Sequence, residues 1–390
     1  MRTAATEETG GNTNHGILHL ALELGRKKWK VGCTIGLGQK ARKKNIAAAD
    51  RDALRTEIVL AKRRFGLPDD ARVVSCYEAG PDGFWLHRWL ESNGVENVVV
   101  DSASIEVNRR KRRAKSDGLD VDGLLKLLCR HTMGEKKVWS VVRVPPPQIE
   151  DLRQVHRDLA TLTEERTRIR NRVRGLLAVH GVAVRSWSKV RTELGAMRLW
   201  DGSALGEGLR RRLQREITRL ELVAQQIRSL EQEMDAELNA EAEPGSMLAM
   251  MQRLAQLRSI GPQGARILVV ELFGWRQFRN RREVGGCTGL TPTPYQSGDS
   301  CHEQGITKAG NVWLRRVAIQ LAWSWVRWQP HSAEAQWFEQ RFAHAGRRQR
   351  RVGIVGVARK LVIALWRYAC GAELPQAITG EMERYVLKAA

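Results

Sequence analysis

Ile17-Leu-His-Leu-Ala-Leu-Glu-Leu24 and Trp29-Lys-Val-Gly-Cys-Thr-Ile-Gly36, with Gly25-Arg-Lys-Lys28 between them, decide the fold of the first third of the chain. Both segments are rich in apolar and β-branched residues and are too short for a helix, and the glycine-led basic tetrapeptide between them suits a turn. They predict a β-hairpin. Downstream, residues 46–65 carry a helical pattern, and Ala71-Arg-Val-Val-Ser-Cys-Tyr77 reads as a buried strand that ends at Glu78. A helix over 82–92, a strand at Val98-Val-Val100, a helix over 117–130 and a strand near 138–144 follow. A hairpin followed by strands that alternate with helices predicts an α/β sheet of ribonuclease-H-like arrangement. Pro145-Pro-Pro147 closes this domain, since three prolines neither extend a helix nor join a sheet interior.

Beyond the prolines the apolar period changes. Leu152, Val155, Leu159, Leu162, Ile169, Val173 and Leu176 keep a heptad rhythm, as do Leu213, Leu220, Ile227 and Met234. Two long amphipathic helices are expected, as an intramolecular hairpin or as an oligomerisation arm, with a turn or small tip over 181–208. The division expected is therefore 1–147 (α/β, ribonuclease-H/RuvC-like), 148–245 (coiled-coil helices) and 246–390 (mostly α-helical, with an irregular Gly/Pro-rich stretch over 285–311).

Composition limits the partners. The chain has 390 residues and a formal charge of +22, from 65 Lys+Arg against 43 Asp+Glu. Such an excess favours a polyanion and makes binding steeply salt-dependent. No apolar run reaches eighteen residues and the first residues are polar, which predicts neither a membrane span nor a signal peptide and places the chain in the cytoplasm. The six cysteines form no Cys-x-x-Cys pair, so a structural zinc site is not expected. No Walker A motif occurs.

The chemistry concentrates at Lys115-Ser-Asp-Gly-Leu-Asp120, directly behind Arg109-Arg-Lys-Arg-Arg113. Helical i, i+3 spacing puts Asp117 and Asp120 on one face, about 5–6 Å apart at Cβ. The alternative is an ordinary helix start, where two acids suit the dipole. Glu23 sits inside the first apolar strand and Glu78 at the carboxyl end of another, where α/β sheets bind their ligands. Taken alone, Glu23 could equally be a sheet-edge residue facing solvent. Four carboxylates from three elements suit a pair of Mg²⁺ ions about 4 Å apart acting on nucleic acid. Arg109, Arg110, Arg112, Arg113 and Lys115 would meet phosphates. Farther on, Leu257-Arg-Ser-Ile-Gly-Pro-Gln-Gly-Ala265 reads as a helix-hairpin-helix or simply a tight helical turn. Ser297 lies in a glycine-flanked loop with Lys308, Arg315 and Arg316 downstream. A serine can attack phosphorus only when its proton is removed and the phosphate charge is offset, and loop serines are more often turn residues. The tryptophans Trp323, Trp325, Trp328, Trp337 and Trp366 have helical spacing and read as core.

Glu78-Ala-Gly80, Lys115–Asp120, Leu290-Thr-Pro-Thr-Pro-Tyr-Gln-Ser-Gly298 and Gly305-Ile-Thr-Lys-Ala-Gly-Asn311 together resemble the insertion-sequence transposases of the insertion sequence 110 family, closest to its 1111 group. That resemblance runs from about residue 17 to 375. It implies a RuvC-like DEDD domain with Glu23, Glu78, Asp117 and Asp120 as metal ligands, and Ser297 as the nucleophile that links to DNA. It also implies an element-encoded structured guide RNA pairing with donor and target DNA. One departure is clear: Glu23 stands where the family pattern has Asp. A homo-oligomer, dimer or tetramer, is expected for work on two DNA partners. The competing readings are a RuvC-like junction nuclease that hydrolyses with the tetrad alone, and a non-catalytic nucleic-acid-binding protein.

Overall fold

The computed structural model describes residues 16–80, 83–105, 117–135, 138–297, 300–308 and 310–372, of which 103, 117–118, 294–297 and 300–304 are described by their backbone alone. The chain divides into two compact units, 1–144 and 145–390.

Unit one is a five-stranded mixed sheet with helices. Its strands are β1 (Leu18–Leu24), β2 (Lys28–Thr34), β3 (Arg42–Ala47), β4 (Val73–Glu78) and β5 (Val95–Val100), in the order β3-β2-β1-β4-β5. β1 to β3 form an antiparallel meander, and β4 and β5 add in parallel to β1. The expected first hairpin is present, closing at Leu24 opposite Trp29. β3 departs from expectation, because 42–47 lies outside any apolar run: Arg-Lys-Lys-Asn-Ile-Ala is an edge strand, mostly exposed and lysine-bearing as solvent-facing edges commonly are. The following helix α1 (Arg51–Arg64) therefore starts later than 46; the Asp50 side chain accepts from the Ala53 N–H and caps it. The strand expected near 138–144 reduces to a single bridge, Val100 to Val141.

The alternation along β1 sorts its two faces. Leu18, Leu20 and Leu22 pack with α1 and with α2 (Trp85–Ser92), while Ala21 packs with Val74, Cys76 and α3 (Asp117–Thr132). α3 buries Val121, Leu124, Leu125 and Leu128 on that second face.

Unit two begins where Pro146 and Pro147 start, rather than merely separate: Pro147 is the first residue of α4 (Pro147–Ala178), a position where proline's missing N–H costs nothing. α4 and α6 (Glu207–Leu238) are each 32 residues long. Leu159, Leu162 and Ile169 pack on Leu220, Val223, Ile227 and Met234, and Val173 and Leu177 on Leu213 and Ile217. The late turns of α4 thus meet the early turns of α6. The heptad seams cover each other within one chain, so α4 and α6 form an intramolecular hairpin. The tip holds α5 (Trp187–Thr192), and Trp200 there is 80% exposed.

The rest is a helical bundle with one hairpin. α7 (Met247–Ala255) and α8 (Pro262–Leu268) are joined by the turn at Gly261, and α8 runs straight into a π-helical turn, Val269–Phe273. α9 (Arg281–Cys287) leads to β6 (Pro292–Ser297) and β7 (Ser300–Ile306), an antiparallel pair where an irregular stretch was expected. Pro292 and Pro294 masked it in sequence; a two-stranded ribbon tolerates them because each strand has an unpaired side. α10 (Val312–Trp328), α11 (Ala333–Phe342) and α12 (Arg347–Ala369) complete the core around Trp325, Phe338, Leu361 and Leu365. Trp325 is buried as expected, whereas Trp323 and Trp328 are 41% and 44% exposed.

Candidate functional site

In unit one, Leu22 pairs with Tyr77 across parallel strands, so the next residues, Glu23 and Glu78, stand at neighbouring strand ends. By alternation both follow Ala21 and Cys76 onto the face that α3 covers. α3 runs opposite to β1. Its last turn reaches the start of β1, where Thr132 Oγ1 lies 2.8 Å from His19 Nε2. Val121 stands over Gly32, the β2 partner of Ala21. The first turn of α3, with Asp117 as its first residue and Asp120 partly buried, therefore lies toward the same end of the sheet as Glu23 and Glu78. The close approach depends on Gly32: a Cβ there would sit 2.2 Å from Val121 Cγ1. Among the described residues no three His, Cys, Asp or Glu side chains gather as a metal-holding group. The Asp117 side chain lies outside that description, as do Arg109, Arg110, Arg112, Arg113 and Lys115 entirely. Asp122, which the helical pitch turns away from Asp117 and Asp120, pairs instead with Lys43 Nζ at 2.5 Å.

In unit two, Ser297 is the last residue of β6, opposite Ser300, rather than part of a long loop; its side chain lies outside the described set. The base of this hairpin is tied by backbone bonds, from Thr307 N–H to the Thr291 carbonyl at 2.9 Å and from Lys308 N–H to the Gly289 carbonyl at 3.2 Å. Lys308 is exposed and left-handed, with φ of 57°. Arg315 donates to its carbonyl at 2.8 Å, and Arg316 lies 3.8 Å from Glu164 and over the Trp313 ring. Both arginines thus make contacts within the chain.

The sequence reading missed one cluster. Glu271, in the π-helical turn, is 0% exposed. Its Oε1 meets His156 Nε2 and accepts from Arg157 Nη2, both at 3.0 Å, and its Oε2 accepts from Asn311 Nδ2 at 2.7 Å, with Arg153 Nε at 3.1 Å. Burial pushes the carboxyl upward, but the His156 bond and the Arg153 and Arg157 charges prevail and hold it down at about 2. The only trace in sequence is one acid inside the apolar run Ile267-Leu-Val-Val-Glu-Leu-Phe273.

The model of the Transposase IS116/IS110/IS902 family matches residues 251–337, which include Glu271, the β6–β7 hairpin and Asn311. A chain described as a transposase in Sinorhizobium fredii, y4rJ, is 41% identical over 368 residues, covering 90% of this chain and 92% of that one. A family 20 transposase of Pseudomonas aeruginosa is 27% identical over 75% of this chain and 82% of its own. The transposase for insertion sequence element IS1328 of Yersinia enterocolitica is 26% identical over 53% of this chain and 58% of its own. Similarity of this extent defines the class as DNA transposase. The chain belongs to the IS116/IS110/IS902 family. No helix among its described residues is long and apolar enough to cross a membrane.

Proposed function

We propose that this transposase cuts and rejoins DNA strands through a serine–DNA intermediate, with Glu23, Glu78, Asp117 and Asp120 as a Mg²⁺-binding set and Ser297 as nucleophile. The observation that carries the reading is the arrangement of Glu23 and Glu78 at adjacent parallel strand ends, on the face where α3 begins with Asp117. Strand order β3-β2-β1-β4-β5 with β2 antiparallel supports a ribonuclease-H/RuvC-like assignment for unit one. All four side chains offer hard carboxylate oxygens, the donors that Mg²⁺ prefers, so the set fits that ion. Bound there, two Mg²⁺ would offset charge on the scissile phosphate. The Ser297 oxygen forms a new P–O bond as the strand's own P–O bond breaks; its proton leaves to solvent, and the departing oxygen takes one up. Attack by a second strand's hydroxyl reverses the exchange and releases the serine, with no change in the number of phosphoester bonds.

The charge of +22 supports further polyanionic partners, and we extend the proposal to an element-encoded guide RNA, which would assign target choice to base pairing. Handling donor and target together favours a homo-oligomer in the cytoplasm. The test is a denaturing gel of labelled DNA with Mg²⁺, comparing parent, Ser297→Ala, Ser300→Ala and Asp120→Ala. A covalent band lost only in Ser297→Ala and Asp120→Ala is expected. Loss with Ser300→Ala alone moves the nucleophile to Ser300, and cleavage that never gives a band turns the reading to hydrolysis by the tetrad.

A further inference from the structure

Asn311 uses both ends of its side chain. Its Oδ1 accepts from the N–H groups of Trp313 and Leu314 at 2.8 and 3.3 Å and caps α10, while its Nδ2 donates to Glu271. Its own N–H donates to the Cys287 carbonyl at 3.2 Å, beside Gly310, which has φ of 85° and where a Cβ would sit 2.4 Å from that same carbonyl oxygen. Asn311 thus stands at the start of α10, shortly after the hairpin base tied at Thr307 and Lys308, and its side chain is fastened to Glu271. Glu271 is held in turn by Arg153, His156 and Arg157, three residues of α4. The segment matched by the family model contains the carboxylate and the asparagine, but the basic side chains that hold the carboxylate come from the root of the helical arm outside it.

We infer that Glu271 is a positioning residue: through Asn311 it sets the β6–β7 hairpin relative to the bundle and ties that hairpin to the arm helix α4. The consequence for catalysis rests on the reading of Ser297, at the end of β6, as nucleophile. A π-turn suits such a role. It interrupts regular helix bonding and recurs where a helix must present one side chain for function. A buried carboxylate with three hydrogen-bond partners and an ion pair from two other elements is also costly to leave half-satisfied, so the π-turn, α4 and the start of α10 move together or not at all.

Asn311→Asp separates anchoring from capping, because Asp caps a helix as well as Asn but cannot donate to Glu271. Glu271→Gln combined with Asn311→Asp restores the bond with its polarity reversed. On the full-length protein, backbone hydrogen exchange should speed at least about tenfold over 292–297 and 300–306 in Asn311→Asp, stay at the parent value in the first turns of α10, and return in the double variant. Covalent adduct formation on labelled DNA should fall about 10- to 100-fold and recover with it, the scale expected when a reacting group is displaced by about 1 Å. Arg157→Gln, whose side chain is 38% exposed, removes one donor without opening a cavity and should loosen the hairpin to a lesser degree; it decides the matter if Asn311→Asp does not fold. Unchanged hairpin exchange in both single variants, or loosening of α10 and hairpin alike with no recovery in the double, overturns the inference. Hairpin exchange that follows the expectation while DNA chemistry ignores it keeps the anchor and refutes the assignment of Ser297.

Discussion

Gly32→Ala should push α3 off the sheet and carry Asp117 and Asp120 with it. The added methyl would lie 2.2 Å from Val121 Cγ1 and 3.1 Å from Leu125 Cδ1, both on α3. Carbon atoms rest at about 3.5–4.0 Å, so the helix must retreat by about 1.3 Å or Val121 must leave its rotamer. Overpacking of this kind costs about 1–3 kcal/mol. Gly32 is central in β2, paired with Ala21 and Lys43, so the strand cannot move away alone. The measurement is hydrogen exchange under rising urea, read on peptides of β1, β2 and α3, because a two-unit chain does not unfold in one step. Val121→Ala removes the clashing methyl, and the double variant should show a favourable coupling of at least about 1 kcal/mol relative to the two singles. Mg²⁺-dependent DNA cleavage should fall in Gly32→Ala by up to about a hundredfold, beyond the loss of folded protein, if α3 carries metal ligands. A Gly32→Ala protein within about 0.5 kcal/mol of the parent, or no coupling to Val121, refutes the reasoning.

Leu220→Asp with Ile227→Asp puts two charges into a seam that is covered within the chain, so far-UV circular dichroism should show loss of arm helix while sedimentation leaves the subunit number as in the parent. Glu271, held at about 2 against an ordinary 4.5, adds stability that is complete above pH 4.5 and is lost as pH falls through its folded value. The difference corresponds to about 3 kcal/mol at 1.36 kcal/mol per unit; acid titration of the melting temperature should lose that component in Glu271→Gln. Neutralising Arg109, Arg110, Arg112 and Arg113 should flatten the log–log salt dependence of duplex binding by up to about 3–4 units, and an unchanged slope would make the run a solvated face.

What the sequence determined by itself is what short-range pattern records. The first hairpin, β4 and α3 announce themselves through apolar runs, and the heptads of α4 and α6 through their spacing, because burial of one face leaves a period in the chain. Glu23 and Glu78 stand out for the same reason, each a charge within or at the end of an apolar strand, and Asp117 and Asp120 through their i, i+3 spacing behind a basic run. The strand β3 could not, since an exposed edge selects for lysine and arginine rather than for alternation. The β6–β7 ribbon was hidden by prolines that its unpaired sides tolerate. Tertiary structure alone decided that the two heptad seams satisfy each other in one chain, since an amphipathic stripe carries no label for its partner. It alone brought Arg153, His156 and Arg157 to Glu271 and Glu271 to Asn311, across 114–118 and 40 positions of sequence respectively. A buried carboxylate is stable only with donors around it, and nothing in its neighbours along the chain says which distant residues will supply them.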